Sequence, residues 1–167
     1  DGVVPLAKKK KLHLQYNAPK HELPKINLDP DKIRQVMMNI VDNAVKYTKR
    51  GSIVVSLREV PGGEDTHAPV RSLVFEVKDT GNGVRAEDKD RLFQKFIRGQ
   101  GSSLVHTDGT GLGLYVGRMM VEAHGGNIWV ESCGEGLGAV FAFSIPVDPP
   151  RTEEPHDHEF ETVMANL

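Results

Sequence analysis

Between Asp29 and Gly51 the chain places apolar residues at Ile33, Val36, Met37, Ile40, Val41, Ala44 and Val45. Steps of three and four put all of them on one side of an α-helix. Asp29-Pro30 predicts its start, an N-cap acid followed by proline at the first helical position, and the helix should end near Gly51. A single apolar stripe of this length needs a second layer to cover it. The flanking segments supply strands. Ile53–Val60 and Ser72–Lys78 are Val-rich and alternating, and Ile128–Glu131 and Val140–Ile145 read the same way. Leu12, Leu14 and Tyr16 alternate with His13 and Gln15, which predicts a half-buried strand over 11–17. The turn-rich stretch 61–69 predicts a hairpin loop. A short helix is expected over 87–96, a Gly/Ser-rich stretch at 99–111, and a second long helix over 112–124 stopped by Gly125-Gly126. Pro146 closes the pattern. This order predicts an α/β (α+β) two-layer sandwich, a mixed β-sheet with helices packed on one face, rather than a doubly wound fold. No internal repeat is visible.

At 167 residues the chain is one domain's worth, long enough to bury a core without covalent staples. Its lone cysteine, Cys133, excludes a disulfide framework and a Cys-based zinc site. The apolar runs are too short to span a bilayer, and Asp1–Lys11 lacks the apolar core of a signal peptide; a cytoplasmic location is expected, either free or as the cytoplasmic part of a membrane-anchored receptor. The net charge of −2 hides an asymmetry. Residues 147–167 hold Asp148, Glu153, Glu154, Asp157, Glu159 and Glu161 against Arg151 alone, a net of −5, which leaves +3 on residues 1–146. The proline-bearing tail reads as a flexible linker or terminus. The body suits a phosphorylated small ligand but is too weakly basic for nucleic acid.

Three features carry chemistry. Asn39 and Asn43 lie one turn apart on the first long helix, with Lys46 and Tyr47 following, away from the apolar stripe. Amide oxygens suit Mg²⁺ and a lysine suits phosphate, although Asn-x-x-x-Asn alone is read more simply as a solvated face. In Val77-Lys-Asp-Thr-Gly-Asn-Gly-Val84 a strand runs into Asp79 and is broken by Gly81 and Gly83. A strand-end carboxylate can accept from an exocyclic amine, and glycines let a flat ring approach, although alone this too reads as a turn. Asp108-Gly-Thr-Gly-Leu-Gly-Leu114 opens a helix, where free N–H groups favour phosphate. It is neither a Walker A loop nor a dinucleotide-binding turn.

Taken in order, Asn-x-x-x-Asn-Ala-x-Lys-Tyr at 39–47, Asp-x-Gly-x-Gly at 79–83, Leu-Phe-x-x-Phe at 92–96 and Gly-x-Gly-x-Gly at 109–113 closely resemble the catalytic, ATP-binding domain of sensor histidine kinases. That domain belongs to the wider GHKL group of Bergerat-type folds, with type II topoisomerases and heat-shock chaperones. The resemblance runs from about residue 10 to Pro146, so residues 1–10 are expected to end a linker from a dimerisation domain, 11–146 to form the catalytic domain and 147–167 the tail. It implies roles. Asn43 would be the main Mg²⁺ ligand with Asn39 close by. Lys46 would contact phosphates, and Tyr47 would pack near sugar or base. Asp79 would accept the adenine amine in a pocket shaped by Gly81, Gly83 and Val84. Phe93 and Phe96 would anchor a lid over Gly99–Asp108, though plain core packing explains them equally. Arg98, after Ile97, would reach the terminal phosphate. Gly109, Thr110, Gly111 and Gly113 would line the phosphates, with Leu112 and Leu114 packed inward. Ala139 departs from the family, which usually has Ser or Thr there to support the adenine site; affinity should be somewhat reduced.

The resemblance also implies direction of transfer. ATPases of the group usually place Glu four residues before the Mg²⁺-binding Asn, as a general base. Asn39 cannot take a proton, which fits transfer to an imidazole that already has a lone pair and predicts poor ATP hydrolysis. The acceptor histidine is expected outside this chain. His21-Glu22-Leu23 resembles a phosphorylation box but is bracketed by Pro19 and Pro24, which a long helix does not tolerate. His13, His67, His106 and His124 lie in a strand, a turn, the lid and a helix end, and His156 and His158 are too few for a metal site. Expected partners are ATP or ADP, Mg²⁺, a dimerisation domain carrying the histidine, and a response-regulator receiver, with no nucleic acid or direct membrane contact. The chain alone should be a monomer and the full protein a homodimer. Two alternatives stand beside this. One is a nucleotide-sensing scaffold that binds ATP or ADP without transfer. The other is an ATP-driven switch of chaperone or topoisomerase type, which Asn39 disfavours.

Overall fold

The computed structural model describes residues 3–63, 67–94 and 112–148. The tail with His156 and His158, the expected lid with His106, and Phe96, Ile97, Arg98, Gly109, Thr110 and Gly111 lie outside them. The elements are α1 (Val3–Lys9), β1 (His13–Asn17), α2 (Pro30–Tyr47), β2 (Ser52–Val60), β3 (Ser72–Asp79), a 3₁₀ turn (Ala86–Asp88), α3 (Gly113–Ala123), β4 (Asn127–Glu131) and β5 (Ala139–Pro146). The strands form one mixed sheet in the order β1-β2-β3-β5-β4, with β1 parallel to β2 and the other pairs antiparallel. The two-layer sandwich expected from the sequence is the fold observed.

The apolar stripe of α2 makes the core. Val36, Ile40, Ala44 and Val45 are buried against Ile53, Phe75, Val77 and Phe143 from the sheet and Val121 from α3. Each such side chain contributes about 2 kcal/mol when taken from water. Strand alternation then assigns the faces. Phe75 and Val77 point to the helices, so Asp79, two residues on, shares that side. The opposite face is mostly polar, with Arg58 and Glu76 paired at 3.6 Å, and a small apolar cluster of Ala68, Val74 and Ala142.

Both long helices are fixed at their ends. The Asp29 side chain accepts from the N–H groups of Asp31 and Lys32, at 3.1 Å each. The Asp29 N–H in turn donates to His124 Nε2 at 3.0 Å, while His124 Nδ1 lies 2.7 Å from the Met120 carbonyl. His124, at the C-cap of α3, thereby ties that end to the start of α2. At the other end of α2, Lys10 Nζ donates to the carbonyls of Val45 and Lys46 at 2.8 Å and of Thr48 at 3.3 Å. These are the carbonyls a helix leaves unpaired, and a cation suits that end of its dipole. Burial lowers the Lys10 pKa from its ordinary value.

Three expectations need correction. β1 is not half-buried: Leu14 and Tyr16 are exposed, because this edge strand lies beyond the helix layer, and only Leu12 just before it enters the core. α2 stops at Tyr47 rather than near Gly51, since Thr48 is already extended at φ −97°. Within the helix expected over 87–96, the described residues, up to Gln94, form a 3₁₀ turn followed by further turns. Arg85 holds the buried Asp88 at 3.0 Å there, and no side chain caps the turn's start. The 61–69 connection does form the β2–β3 loop, with the Gly63 N–H donating to the Ala68 carbonyl at 3.2 Å. Among the described residues, no helix is long and apolar enough to cross a membrane.

Replacing Lys10 by Met, which keeps most of the stem and removes the ammonium, should destabilise the chain by about 2 kcal/mol, the scale of hydrogen bonds to a charged donor. A urea midpoint equal to the wild type's would contradict the capping role.

Candidate nucleotide site

Two of the three motifs found in the sequence meet the first along α2. Near its C-terminal end, the Asn82 N–H donates to the Tyr47 carbonyl at 3.2 Å. A side chain at Gly81 would begin 2.6 Å from that same oxygen, so the 79–83 loop lies directly on the end of α2. About two turns earlier, Gly113 at the start of α3 packs on Asn39: a Cβ there would sit 2.6 Å from Asn39 Oδ1 and 2.8 Å from Nδ2. Asn39 and Thr48 are separated by roughly 13 Å at 1.5 Å per residue. The helix thus holds one motif at each end of a span suited to an elongated ligand. Asn39, Asn43, Lys46 and Tyr47 are all half-buried along it, with Lys46 Nζ 5.9 Å from the centre of the Tyr47 ring.

Asp79 is the most unusual group in this region. It ends β3, faces the helix layer and is only 6% exposed. Burial raises its pKa above the ordinary carboxylate value, while N–H groups of Gly81 and Ala139 hold it back. The Gly81 N–H donates to Asp79 Oδ1 at 2.8 Å. Ala139 is the register partner of Asp79 across the β3–β5 ladder and supplies it with backbone alone.

The loop after Asp79 is clamped from the far side. Ser132 Oγ accepts from the Val84 N–H at 3.0 Å and donates to the Gly138 carbonyl at 2.7 Å. The Gly136 N–H donates to the Asn82 carbonyl at 2.6 Å and the Gly138 N–H to the Gly81 carbonyl at 3.2 Å. Gly83, at φ +67°, admits no side chain, because a Cβ would collide with the Gly134 carbonyl. No sequence motif marks Ser132. Its position after β4, opposite the second glycine-bearing loop, becomes visible only once the two loops are paired.

Leu114 packs against the core and Phe93 is buried in it, whereas Leu112, expected to pack inward too, lines the cleft between α2 and α3. A cleft of about 410 Å³ opens between α2 and α3, lined by Gln35, Met38, Asn39, Asp42, Gly113 and Val116 among others. Asp42 was not singled out from the sequence, although it lies three residues after Asn39 on the same side. Among the described residues no cluster of three or more His, Cys, Asp or Glu side chains could cage a metal.

The comparisons agree with this geometry. Residues 28–149 match the family described as histidine kinase-, DNA gyrase B- and HSP90-like ATPases, and the chain belongs to that family. Within it, the relatives are sensor kinases. The sensor histidine kinase WalK of Bacillus subtilis is 37% identical over 139 residues, which are 82% of this chain and 21% of WalK. Full-length ShkA, crystallised with AMPPNP, superposes with a TM-score of 0.69 at 32% identity, over 88% of this chain and 29% of ShkA. The nucleotide-free catalytic domain of the histidine kinase ThkA gives 0.67 at 26% identity, with 88% of this chain and 92% of that domain covered. The chain is an ATP-binding catalytic domain of the histidine-kinase type, and it spans about a fifth of the length of WalK.

The buried carboxylate has a cost that can be measured. Its raised pKa means the folded chain binds a proton more tightly than the unfolded chain. Stability therefore falls as pH rises from the ordinary carboxylate range through the raised value, and stays reduced at neutrality. Asp79→Asn keeps the oxygen that accepts from Gly81 and removes the charge. Without nucleotide it should melt at or above the wild type at pH 7, with the gap closing toward about pH 4. Calorimetric scans across that range would contradict this if the variant melted lower at pH 7 than at acid pH relative to wild type.

Proposed function

We propose that this domain binds Mg²⁺-ATP across α2 and transfers the γ-phosphate to a histidine on a separate dimerisation domain of the same protein. The observation that carries the reading is Asp79, a carboxylate kept buried at the strand end on the helix-facing side, where an exocyclic amine would satisfy it. Adenine offers that amine at C6, where guanine offers a carbonyl. With the base at Asp79, Gly81, Gly83 and Val84, the length of α2 carries Tyr47 and Lys46 past the sugar and first phosphates toward Asn43 and Asn39. Gly113 brings the α3 N-terminus to the phosphate end. Arg98 and Gly109–Gly111 complete that end in this reading.

The donor set fits magnesium only in company. Asn43 and Asn39 provide neutral amide oxygens, hard ligands but too few for an all-protein site, so the ion would be held jointly with phosphate oxygens. Bound there, it neutralises charge on the transferring phosphoryl group. The protein's own part is positioning and charge compensation. An imidazole nitrogen attacks the γ-phosphorus, the bond to the β,γ-bridging oxygen breaks, ADP leaves and the imidazole loses its proton. Asn39 stands where a general base would activate water, which favours transfer over hydrolysis. A receiver domain then takes the phosphoryl group, and the setting is cytoplasmic, monomeric for this domain and homodimeric for the whole protein.

The purified chain should turn over Mg²⁺-ATP slowly, and addition of the histidine-bearing dimerisation domain should yield an acid-labile, base-stable phosphoprotein. Asn43→Ala should abolish that product, and Asp79→Asn should weaken ATP binding in calorimetry by at least about tenfold, the weight of a charged hydrogen bond. Rapid ATP hydrolysis by the chain alone, or ATP binding without any transfer to that domain, would refute the kinase reading.

A further inference from the structure

Thr48 holds a polar atom that the fold leaves unexplained. The residue is 0% exposed, and its Oγ1 is buried without any hydrogen-bond partner. Buried hydroxyls are nearly always paired, so an orphan marks either strain or a missing ligand atom. Its backbone needs no further partner, since the N–H donates to the Ala44 carbonyl at 3.1 Å and the carbonyl receives Lys10 Nζ. The hydroxyl is therefore dispensable for ending the helix.

Its location says what it faces. A side chain starting at Gly81 would begin 2.8 Å from Thr48 Oγ1 and 2.9 Å from Asp79 Oδ1. The two oxygens both pack against residue 81, so closely that no side chain fits there. Their chemistry differs. The carboxylate only accepts, and the hydroxyl has a proton to donate. Ala139, the cross-strand neighbour of Asp79, brings no hydroxyl of its own.

We propose that Thr48 is a specificity-determining residue for the base: its Oγ–H donates, directly or through one water, to N1 of adenine while Asp79 accepts from the neighbouring amine. The proposal rests on the placement of adenine at Asp79. Adenine presents an acceptor beside a donor on that edge, which matches hydroxyl and carboxylate in order. Guanine presents the reverse pattern, a carbonyl beside an N–H, and would set two acceptors against each other at Asp79.

The test is calorimetric, with ATP, 1-deaza-ATP (no N1 acceptor) and purine riboside triphosphate (no exocyclic amine) titrated into wild type, Thr48→Val, Thr48→Ser and Asp79→Asn. Wild type should prefer ATP over 1-deaza-ATP by about tenfold, the weight of one hydrogen bond. Thr48→Val should lose that preference yet keep its preference for ATP over purine riboside triphosphate. Thr48→Ser should retain both. Without nucleotide, Thr48→Val should melt at or above wild type, since it removes an unpaired buried hydroxyl at equal volume. If wild type binds ATP and 1-deaza-ATP equally, the proposal is overturned, and that comparison needs no variant. Thr48→Val matching wild type on all three ligands also overturns it, while Asp79→Asn still losing ATP leaves the adenine site standing. Asp79→Asn binding ATP like wild type overturns the placement of the base itself, and Thr48 with it.

Discussion

The packing of one helix on one sheet face governs this molecule. Because α2 buries Val36, Ile40 and Val45 against Val77 and Phe75, its remaining side is turned outward along a fixed line. Helical spacing then sets Asn39, Asn43 and Lys46 in sequence along that side, and strand alternation sets Asp79 on the same layer as Val77. Neither motif could be shifted by one residue without moving its functional group to the wrong face. The core and the candidate site are therefore one geometric decision.

Close backbone approach is the second constraint. The loops after β3 and β4 exchange hydrogen bonds through Asn82, Gly136, Gly138 and Ser132 until Gly83 touches the Gly134 carbonyl. At the other end of α2, Gly113 and Gly117 bring α3 against Asn39 and Val36. Small residues at these points let rigid elements, rather than long side chains, define the walls of the site. A pocket defined by backbone loses little entropy when a ligand enters.

The sequence made the site legible where function obeys a period or a spacing. The α2 stripe, the strand ending in Asp79 and the glycine-led start of α3 are local patterns, and they appear in the structure where periodicity put them. What escaped was set by tertiary position. Leu14 and Tyr16 alternate as a half-buried strand would, yet β1 is the sheet's edge beyond the reach of α2 and α3, so alternation there buries nothing. A short helix is expected over 87–96, but residues 86–94 fold as a 3₁₀ turn and further turns, with Arg85 paired to buried Asp88. Ser132, Thr48 and Lys10 carry no motif. Each matters because of what a distant segment places beside it, and a spacing rule cannot see that.

Asp79 and Thr48 share a further property that distinguishes them from the core around them. Both are polar, both are almost wholly buried, and each is less satisfied than its surroundings would allow: one carries a charge against its desolvation, the other a hydroxyl without a partner. A fold selected for stability alone would place valine or alanine at such points, as it does at Val77 and Ala44 on either side. Both oxygens lie against Gly81, so closely that no side chain fits there. A lone buried polar group indicates imperfect packing, whereas two kept side by side at such a cost indicate a role in binding. The pairing of an acceptor and a donor at the end of α2 is thus a statement about the ligand's edge, reached from the cost of burying these groups.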